Sequence, residues 1–329
     1  MVNKNPLKIG VVGVGHLGQF HVQQLLKISN IDLIGLYDVD NQRAIKIGEE
    51  YSVTVFDDKL DLMKSTDALC IVTPTPFHYD LAMQALDNGC HLFIEKPITE
   101  TIEQAVCLLE KSEYLNKIIQ VGHIERFNPA FLYLKDKKIN PQFIEIHRLA
   151  PFNPRGIDVP VMLDLMIHDI DILLTLVQSP INDIRASGVK VVSKNIDIAN
   201  TRISFKNGCV ANLTASRISQ GSMRKMRIFQ TSQYTTIDFL QKSVETYNLR
   251  NKIPDNKNYK SVFPIEGQEK KYIIYDCPKI PDYNALREEL NHFSDAVNKG
   301  IKPEVDGHSG IAALKVALEI QKIIDKDAT

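Results

Sequence analysis

The 329-residue chain predicts an α/β fold in two parts: a doubly wound parallel sheet, followed by an α+β region built on an open-faced, mostly antiparallel sheet. Three observations predict it. Up to Val121, short apolar runs alternate with helical stretches, the beat of βαβ units. From Gln142 the strands become longer, partly alternating and consecutive, which suits antiparallel pairing. Finally, residues 7–18, LKIGVVGVGHLG, run an apolar strand straight into Gly13-x-Gly15-x-x-Gly18 and then into a helix.

That stretch organises the first domain. Ile9, Val11, Val12 and Val14 read as a strand buried on both faces, and 19–28 as the helix after the turn. In such a turn the first glycine takes a tight φ, the second admits a pyrophosphate, and the third lets helix pack on strand. The N–H groups at the helix start, at His16 and Leu17, then face the anion. Glycines also serve ordinary tight turns, so context decides. Strand 31–37 ends at Asp38, about twenty residues past the glycines, where an acid binds both ribose hydroxyls of a dinucleotide. Together these predict a Rossmann site. Val39-Asp40 stands where an NADP enzyme offers an arginine or small hydroxyl residue to the 2′-phosphate, so the cofactor expected is NAD.

The alternation continues with helix 42–51, a short strand 53–56, a helix near Leu60, strand 68–72, helix 79–88 and strand 91–94. In this architecture a ligand lies beyond the carboxyl ends of the strands. Those ends carry Asp38, then Thr73-Pro74-Thr75-Pro76 with His78, then Glu95-Lys96-Pro97. Prolines there can simply stop a strand, and a loop lysine can simply be solvated. The position favours Thr73, Pro74, His78 and Glu95 as a cofactor wall and Lys96 as a functional group in the crevice. Helix 101–114 and strand 117–121 close this domain, expected at residues 1–123, with a substrate-binding and oligomerisation domain at 124–329.

In the second domain Asn128-Pro129 opens a helix to about Lys137, and strands fall at 143–148, 184–192, 197–205, 209–216, 224–231 and 234–239. An open sheet face often meets another subunit, so a homodimer or homotetramer is expected through this sheet. Residues 251–268 read as a polar surface loop, and helices 284–298 and 309–324 finish the chain. The helix at 161–177 carries Asp164, His168 and Asp171 at i, i+4 and i+7, one face of an otherwise apolar helix. Such a polar stripe needs partners. An Asp-His-Asp cluster can satisfy itself structurally or bind a metal, but an imidazole oriented by a carboxylate suits removal of a hydroxyl proton near neutral pH. No metal is expected.

Composition excludes other classes. A net charge of -1 gives no reason to expect nucleic acid or anionic membrane as partner. The start, MVNKNPLK, offers no apolar signal segment, and no run reaches membrane-spanning length. Cys70, Cys90, Cys107, Cys209 and Cys277 lack CxxC spacing and read as reduced thiols, so a cytoplasmic protein is expected and the sequon at Asn212 is chance.

GVGHLG, TPTPFH and EKP at this spacing, followed by Gln120-Val-Gly-His-Ile-Glu-Arg-Phe-Asn128, resemble the glucose-fructose oxidoreductase and inositol 2-dehydrogenase (Gfo/Idh/MocA) family over nearly the whole chain. The resemblance implies that Lys96 sits beside the nicotinamide and the substrate hydroxyl, and its Asp-x-x-x-His motif falls on Asp164 and His168. Many members carry glycine where this chain has Met166, which narrows the pocket floor. Residues 121–131 and 147–155 resemble the branch of UDP-N-acetylglucosamine 3-dehydrogenase in lipid A precursor synthesis. That branch implies His123, Arg126, Arg148 and Arg155 as substrate contacts. With Arg217, Arg224 and Arg227 these arginines could supply forked donors to a pyrophosphate, although any one of them can equally be a surface charge.

The expected activity is oxidation of a secondary hydroxyl of a sugar nucleotide to a ketone, with UDP-N-acetylglucosamine at C3 the best candidate. His168 takes the hydroxyl proton, Lys96 hydrogen-bonds the oxygen, and Asp164 orients His168. Two alternatives stand beside it: a dehydrogenase of a free cyclitol or monosaccharide, and a non-catalytic NAD-binding sensor or co-repressor, since the fold also resembles the galactose-pathway repressor. The Tyr-x-x-x-Lys of short-chain dehydrogenases is matched by Tyr275 and Lys279 only in letters, because Pro278 interrupts the helix it requires.

Overall fold

A computed structural model describes residues 6–135, 137–154, 156, 159–255, 259–265, 267 and 271–327. The chain forms two compact units, Met1–Phe127 with Asn284–Lys315, and Asn128–Tyr283 with Val316–Thr329. The chain thus first crosses between units at Phe127, four residues after the end expected for the first domain, and returns to the first unit at Asn284.

The first unit contains β1 (Leu7–Val12), α1 (His16–Leu25), β2 (Ile31–Tyr37), α2 (Asn41–Tyr51), α3 (Lys59–Lys64), β3 (Ala68–Ile71), α4 (His78–Asp87), β4 (His91–Glu95), α5 (Ile102–Tyr114) and β5 (Ile119–Gly122). The five strands are parallel in the order β2-β1-β3-β4-β5. They are apolar on both faces because helices cover both; Ile9, Val11, Leu36, Cys70 and Phe93 are all fully buried. Helix starts are fixed locally. Asp40 and Asp58 cap α2 and α3, and Thr101 with Gln104 forms a capping box on α5. The strand expected at 53–56 is reduced to one bridge, Val55 to Leu36. Beside that bridge Phe56 packs against Gly35, where a Cβ would come within 2.4 Å of its ring.

After α6 (Pro129–Leu132), much shorter than expected, the second unit contains β6 (Phe143–Leu149), a π turn (Met162–Met166) leading into α7 (Ile167–Val177), then β7 (Ile181–Val189), β8 (Ile198–Phe205), β9 (Val210–Ser216), β10 (Met223–Gln230), β11 (Gln233–Asp238), β12 (Ser243–Arg250), β13 (Ser261–Ile265) and β14 (Lys271–Asp276). The nine-stranded sheet runs β13-β14-β12-β11-β10-β6-β9-β8-β7, antiparallel except for the parallel pair β6–β9. Part of the polar stretch expected to be loop is strand, because Val262 and Phe263 find partners in Ile274 and Ile273 of β14; residues 256–258, 266 and 268–270 lie outside the described residues.

One face of this sheet is apolar. Ile144, Ile146, Ala211, Leu213, Thr201 and Met226 are buried on it, and Met166 reaches Thr201 from the helix above. The other face carries Glu145, Arg227, Asn200 and Thr214, and a row of rings. Phe143, Phe229, Tyr234, Tyr247 and Tyr275 stand opposite one another on five adjacent strands, their centroids 4.8–5.6 Å apart. The chain ends with α8 (Ala285–Lys299) and α9 (Gly307–Asp327), and among the described residues no helix is long and apolar enough to cross a membrane.

Candidate active site

The glycine turn has the shape its sequence promised. Gly13 takes φ 89°, and a Cβ there would come within 2.7 Å of the Val72 carbonyl oxygen. A Cβ on Gly18 would strike the Gly13 carbonyl at 2.0 Å, so α1 can approach β1 this closely only without a side chain. Gly15, by contrast, faces open space and forms the N-cap of α1, with no side-chain cap on the first turn at His16 and Leu17. The open space at Gly15 and the uncapped start of α1 fit a dinucleotide pyrophosphate. Asp38 is nearly buried at the end of β2. Its Oδ2 accepts the N–H of Val14 at 2.8 Å, and Oδ1 accepts the N–H of Asp40 at 2.9 Å with Arg43 Nη1 3.4 Å away. The acid therefore braces the glycine turn and holds one oxygen beside an arginine.

At the ends of β3 and β4 stand the residues expected to form a cofactor wall, and two of them, His78 and Glu95, turn to other partners. Pro74 is exposed, and Thr73 Oγ1 is buried with no hydrogen-bond partner among the described residues. His78, expected to face the cofactor, is instead 1% exposed, with Nε2 2.8 Å from the Thr73 carbonyl and Nδ1 3.0 Å from the Pro97 carbonyl. Both ring nitrogens are thus spent on main chain, and His78 supports the wall from behind. Burial lowers its pKa against the pull of those carbonyls. Lys96 is half-buried just past β4. Glu95 turns inward: Oε1 lies 2.8 Å from His21 Nε2 and Oε2 accepts the Lys96 N–H at 3.2 Å, so it too is a support. His123 and Arg126, after β5, are buried.

In the second unit Asp164 lies within the π turn and His168 one residue into α7, both half-buried. Asp171, three residues past His168 on α7, is fully buried and does not share the exposure of Asp164 and His168. Arg217 Nη2 stands 4.0 Å from Asp164 Oδ2 while its guanidinium donates to the carbonyls of Gly156 and Val159, fixing the loop beside the acid. Arg148 does not have the open fork expected of a phosphate ligand. It is 3% exposed, and its Nε and Nη2 bind both oxygens of Asp169 at 2.8 Å, tying β6 to α7 next to His168. Arg227 pairs with Glu145 across strands, Arg224 is exposed at the end of β10, and Arg155 lies outside the described residues.

Residues 7–123 match the model of an oxidoreductase family with an NAD-binding Rossmann fold, and residues 152–234 match the Gfo/Idh/MocA C-terminal domain. The chain belongs to this family. It is 34% identical, over 97% of each chain, to UDP-N-acetylglucosamine 3-dehydrogenase of Acidithiobacillus ferrooxidans, and a crystal form of that enzyme superposes with a TM-score of 0.88 over 98% of this chain and 99% of that one. It is also 28% identical to the scyllo-inositol 2-dehydrogenase of Bacillus subtilis over 96% of this chain and 93% of that enzyme.

As a Gfo/Idh/MocA oxidoreductase the chain has an NAD-binding Rossmann domain, and the turn of Gly13, Gly15 and Gly18 with Asp38 is its candidate cofactor cradle. Sequence reasoning missed three charged or titratable partners of that site and its neighbour: His21, Arg43 and Asp169. His21 lies three residues past Gly18 and Asp169 directly follows His168, but nothing in their spacing names the partner, since Glu95 is 74 positions from the one and Arg148 21 from the other.

Proposed function

We propose that this enzyme oxidises the C3 hydroxyl of UDP-N-acetylglucosamine to a ketone with NAD. The observation that carries the reading is the likeness to UDP-N-acetylglucosamine 3-dehydrogenase across the full length of both chains, in a chain that keeps Lys96, Asp164 and His168. NAD, which Gly13, Gly15, Gly18 and Asp38 would hold, would supply the hydride acceptor for the carbon that bears the hydroxyl. His168 takes the hydroxyl proton as the carbonyl forms, the ammonium of Lys96 donates to the oxygen, and Asp164 keeps the imidazole oriented. His123 and Arg126 are assigned to the sugar. With Arg148 held by Asp169, contact with the diphosphate falls to Arg155 and to Arg224. Binding energy from that remote group would position the sugar, so a truncated substrate loses turnover as well as affinity.

Copies of the chain are proposed to join through the open sheet face as a homodimer or homotetramer, in the cytoplasm. The test of substrate is NADH formation with UDP-N-acetylglucosamine, free N-acetylglucosamine and inositol, with a pyridoxal-phosphate aminotransferase present to trap the ketone. Turnover of the nucleotide sugar alone is expected, and Arg155→Ala should reduce it. Robust oxidation of inositol, unchanged by Arg155→Ala, would replace this reading by that of a cyclitol dehydrogenase, a class represented among the relatives.

A further inference from the structure

Helix α1 serves the glycine turn at its first residues, yet His21 in its second turn performs a different task. The ring is 1% exposed, packs edge-on against Phe93 at 5.4 Å between centroids, and makes one polar contact among the described residues, Nε2 to Glu95 Oε1 at 2.8 Å. A carboxylate only accepts, so the ring donates from Nε2. Burial by itself raises the pKa of Glu95, but the bond to His21 and the charges of His21 and Lys96 outweigh it and hold the carboxyl below its ordinary range. The bond is therefore charge-assisted, the stronger kind. The second oxygen of Glu95 accepts the main-chain N–H of Lys96. Room for that oxygen is made by Gly122 of β5, where a Cβ would come within 2.9 Å of it. Three elements, α1, β4 and β5, are shaped around one carboxylate.

We propose that His21 is a positioning residue that, through Glu95, locks the main chain of Lys96 to the helix whose N-terminus takes the cofactor phosphates. The latch fixes the distance from the phosphate cradle to the Lys96 segment, and so the place of the ammonium relative to a bound nicotinamide. It rests on the reading of Lys96 as the donor to the substrate oxygen, and the experiment separates the two.

The full-length enzyme is prepared as wild type, His21→Leu, His21→Gln, Lys96→Ala and the double variant Lys96→Ala/His21→Leu, and studied well below the melting temperature of each. The Gln amide nitrogen reaches the position of Nε2 and keeps the donor. In the first measurement an amine-reactive probe labels Lys96, followed by mass spectrometry of its peptide, with and without NADH, whose own fluorescence reports binding in a chain without tryptophan. NADH should slow the labelling in wild type and His21→Gln and lose most of that protection in His21→Leu. In the second, turnover of NAD with UDP-N-acetylglucosamine should fall about tenfold or more in His21→Leu with KM changed less, and return to within about threefold in His21→Gln, since misplacing a group by an ångström costs up to about a hundredfold. Adding His21→Leu to Lys96→Ala should cost nothing further. Equal protection of Lys96 in wild type and His21→Leu overturns the latch, as does a fall in melting temperature with turnover intact. Normal turnover by Lys96→Ala, with protection still lost in His21→Leu, leaves the latch standing and removes the catalytic role of Lys96.

Discussion

Asp38 was legible because its chemistry is tied to a spacing, and its neighbour was not. Arg43 stands 3.4 Å from Asp38 Oδ1 and 3.0 Å from Asp40 Oδ2, half exposed, on the second residue pair of α2. Held between two carboxylates it offers little to a 2′-phosphate, and like charge on Asp38 repels one, so NAD should bind far better than NADP. Asp38→Ala is expected to do two things at once: remove the acid proposed to accept the ribose hydroxyls and loosen the hold on Arg43. NAD affinity should fall and NADP affinity rise, so that the ratio moves by about tenfold or more, one RT ln 10 of 1.4 kcal/mol. Titration of the two reduced cofactors by their own fluorescence measures it, and adding Arg43→Ala should abolish the gain for NADP. Unchanged discrimination in Asp38→Ala would remove the acid from the specificity argument. The same limit of sequence explains Arg148 and His78. A residue type announces what it can bond, while the fold decides which of its possible partners arrives first. For Arg148 it is Asp169, and for His78 two carbonyls.

At the scale of elements, strands and helices of the first unit were readable because period, caps and glycines agree. The π turn was not, since its residues have the same apolar pattern as the α-helix it precedes, and one extra residue per turn leaves no mark in composition. Two elements yield expectations. The Arg148–Asp169 pair joins β6 to α7 with both side chains 4% exposed. Arg148→Ala removes both of these bonds from a buried carboxylate and should lower stability by about 3–5 kcal/mol, whereas Arg148→Met with Asp169→Leu should recover most of it. Urea unfolding reads both, and a loss near zero in the single variant would show that the pair carries no structural weight. His91, first residue of β4, accepts the N–H of Ile118 on Nδ1 at 3.0 Å, which requires a neutral ring. Burial, helped by Lys117, lowers its pKa to about 4. The unfolded chain, with an ordinary histidine near 6.5, therefore binds more protons between these values, and stability should fall as pH drops from about 6.5 to about 4. His91→Leu should flatten that part of the profile. A slope identical to wild type would assign the loss to other groups.

For the molecule as a whole, the sequence disclosed the two kinds of sheet but not the length of the second, because β12, β13 and β14 are mostly only partly buried and gain their order from pairing with one another. Their contribution is the far half of the ring row. Each of Phe143, Phe229, Tyr234, Tyr247 and Tyr275 lies on a different strand, and the register brings them into line. Adjacent rings in such contacts contribute about 0.5–1.5 kcal/mol each beyond area burial. The row would also stiffen a lone sheet, so its presence does not by itself demand a partner. What suits a second copy is the mixture beside it: Phe229 is 37% exposed, Glu145 and Arg227 present both signs of charge next to it, and a two-fold axis across the row would set rings against rings and each sign against the other. Light scattering on a sizing column should give a multiple of the chain mass for the wild type. Tyr247→Lys puts an ammonium in the row and, across a two-fold, against its own copy. That variant should elute as a monomer with its far-UV circular dichroism unchanged, and Tyr247→Phe should remain assembled. A monomeric wild type, or a Tyr247→Lys variant that is folded and fully assembled, would move the interface away from this face.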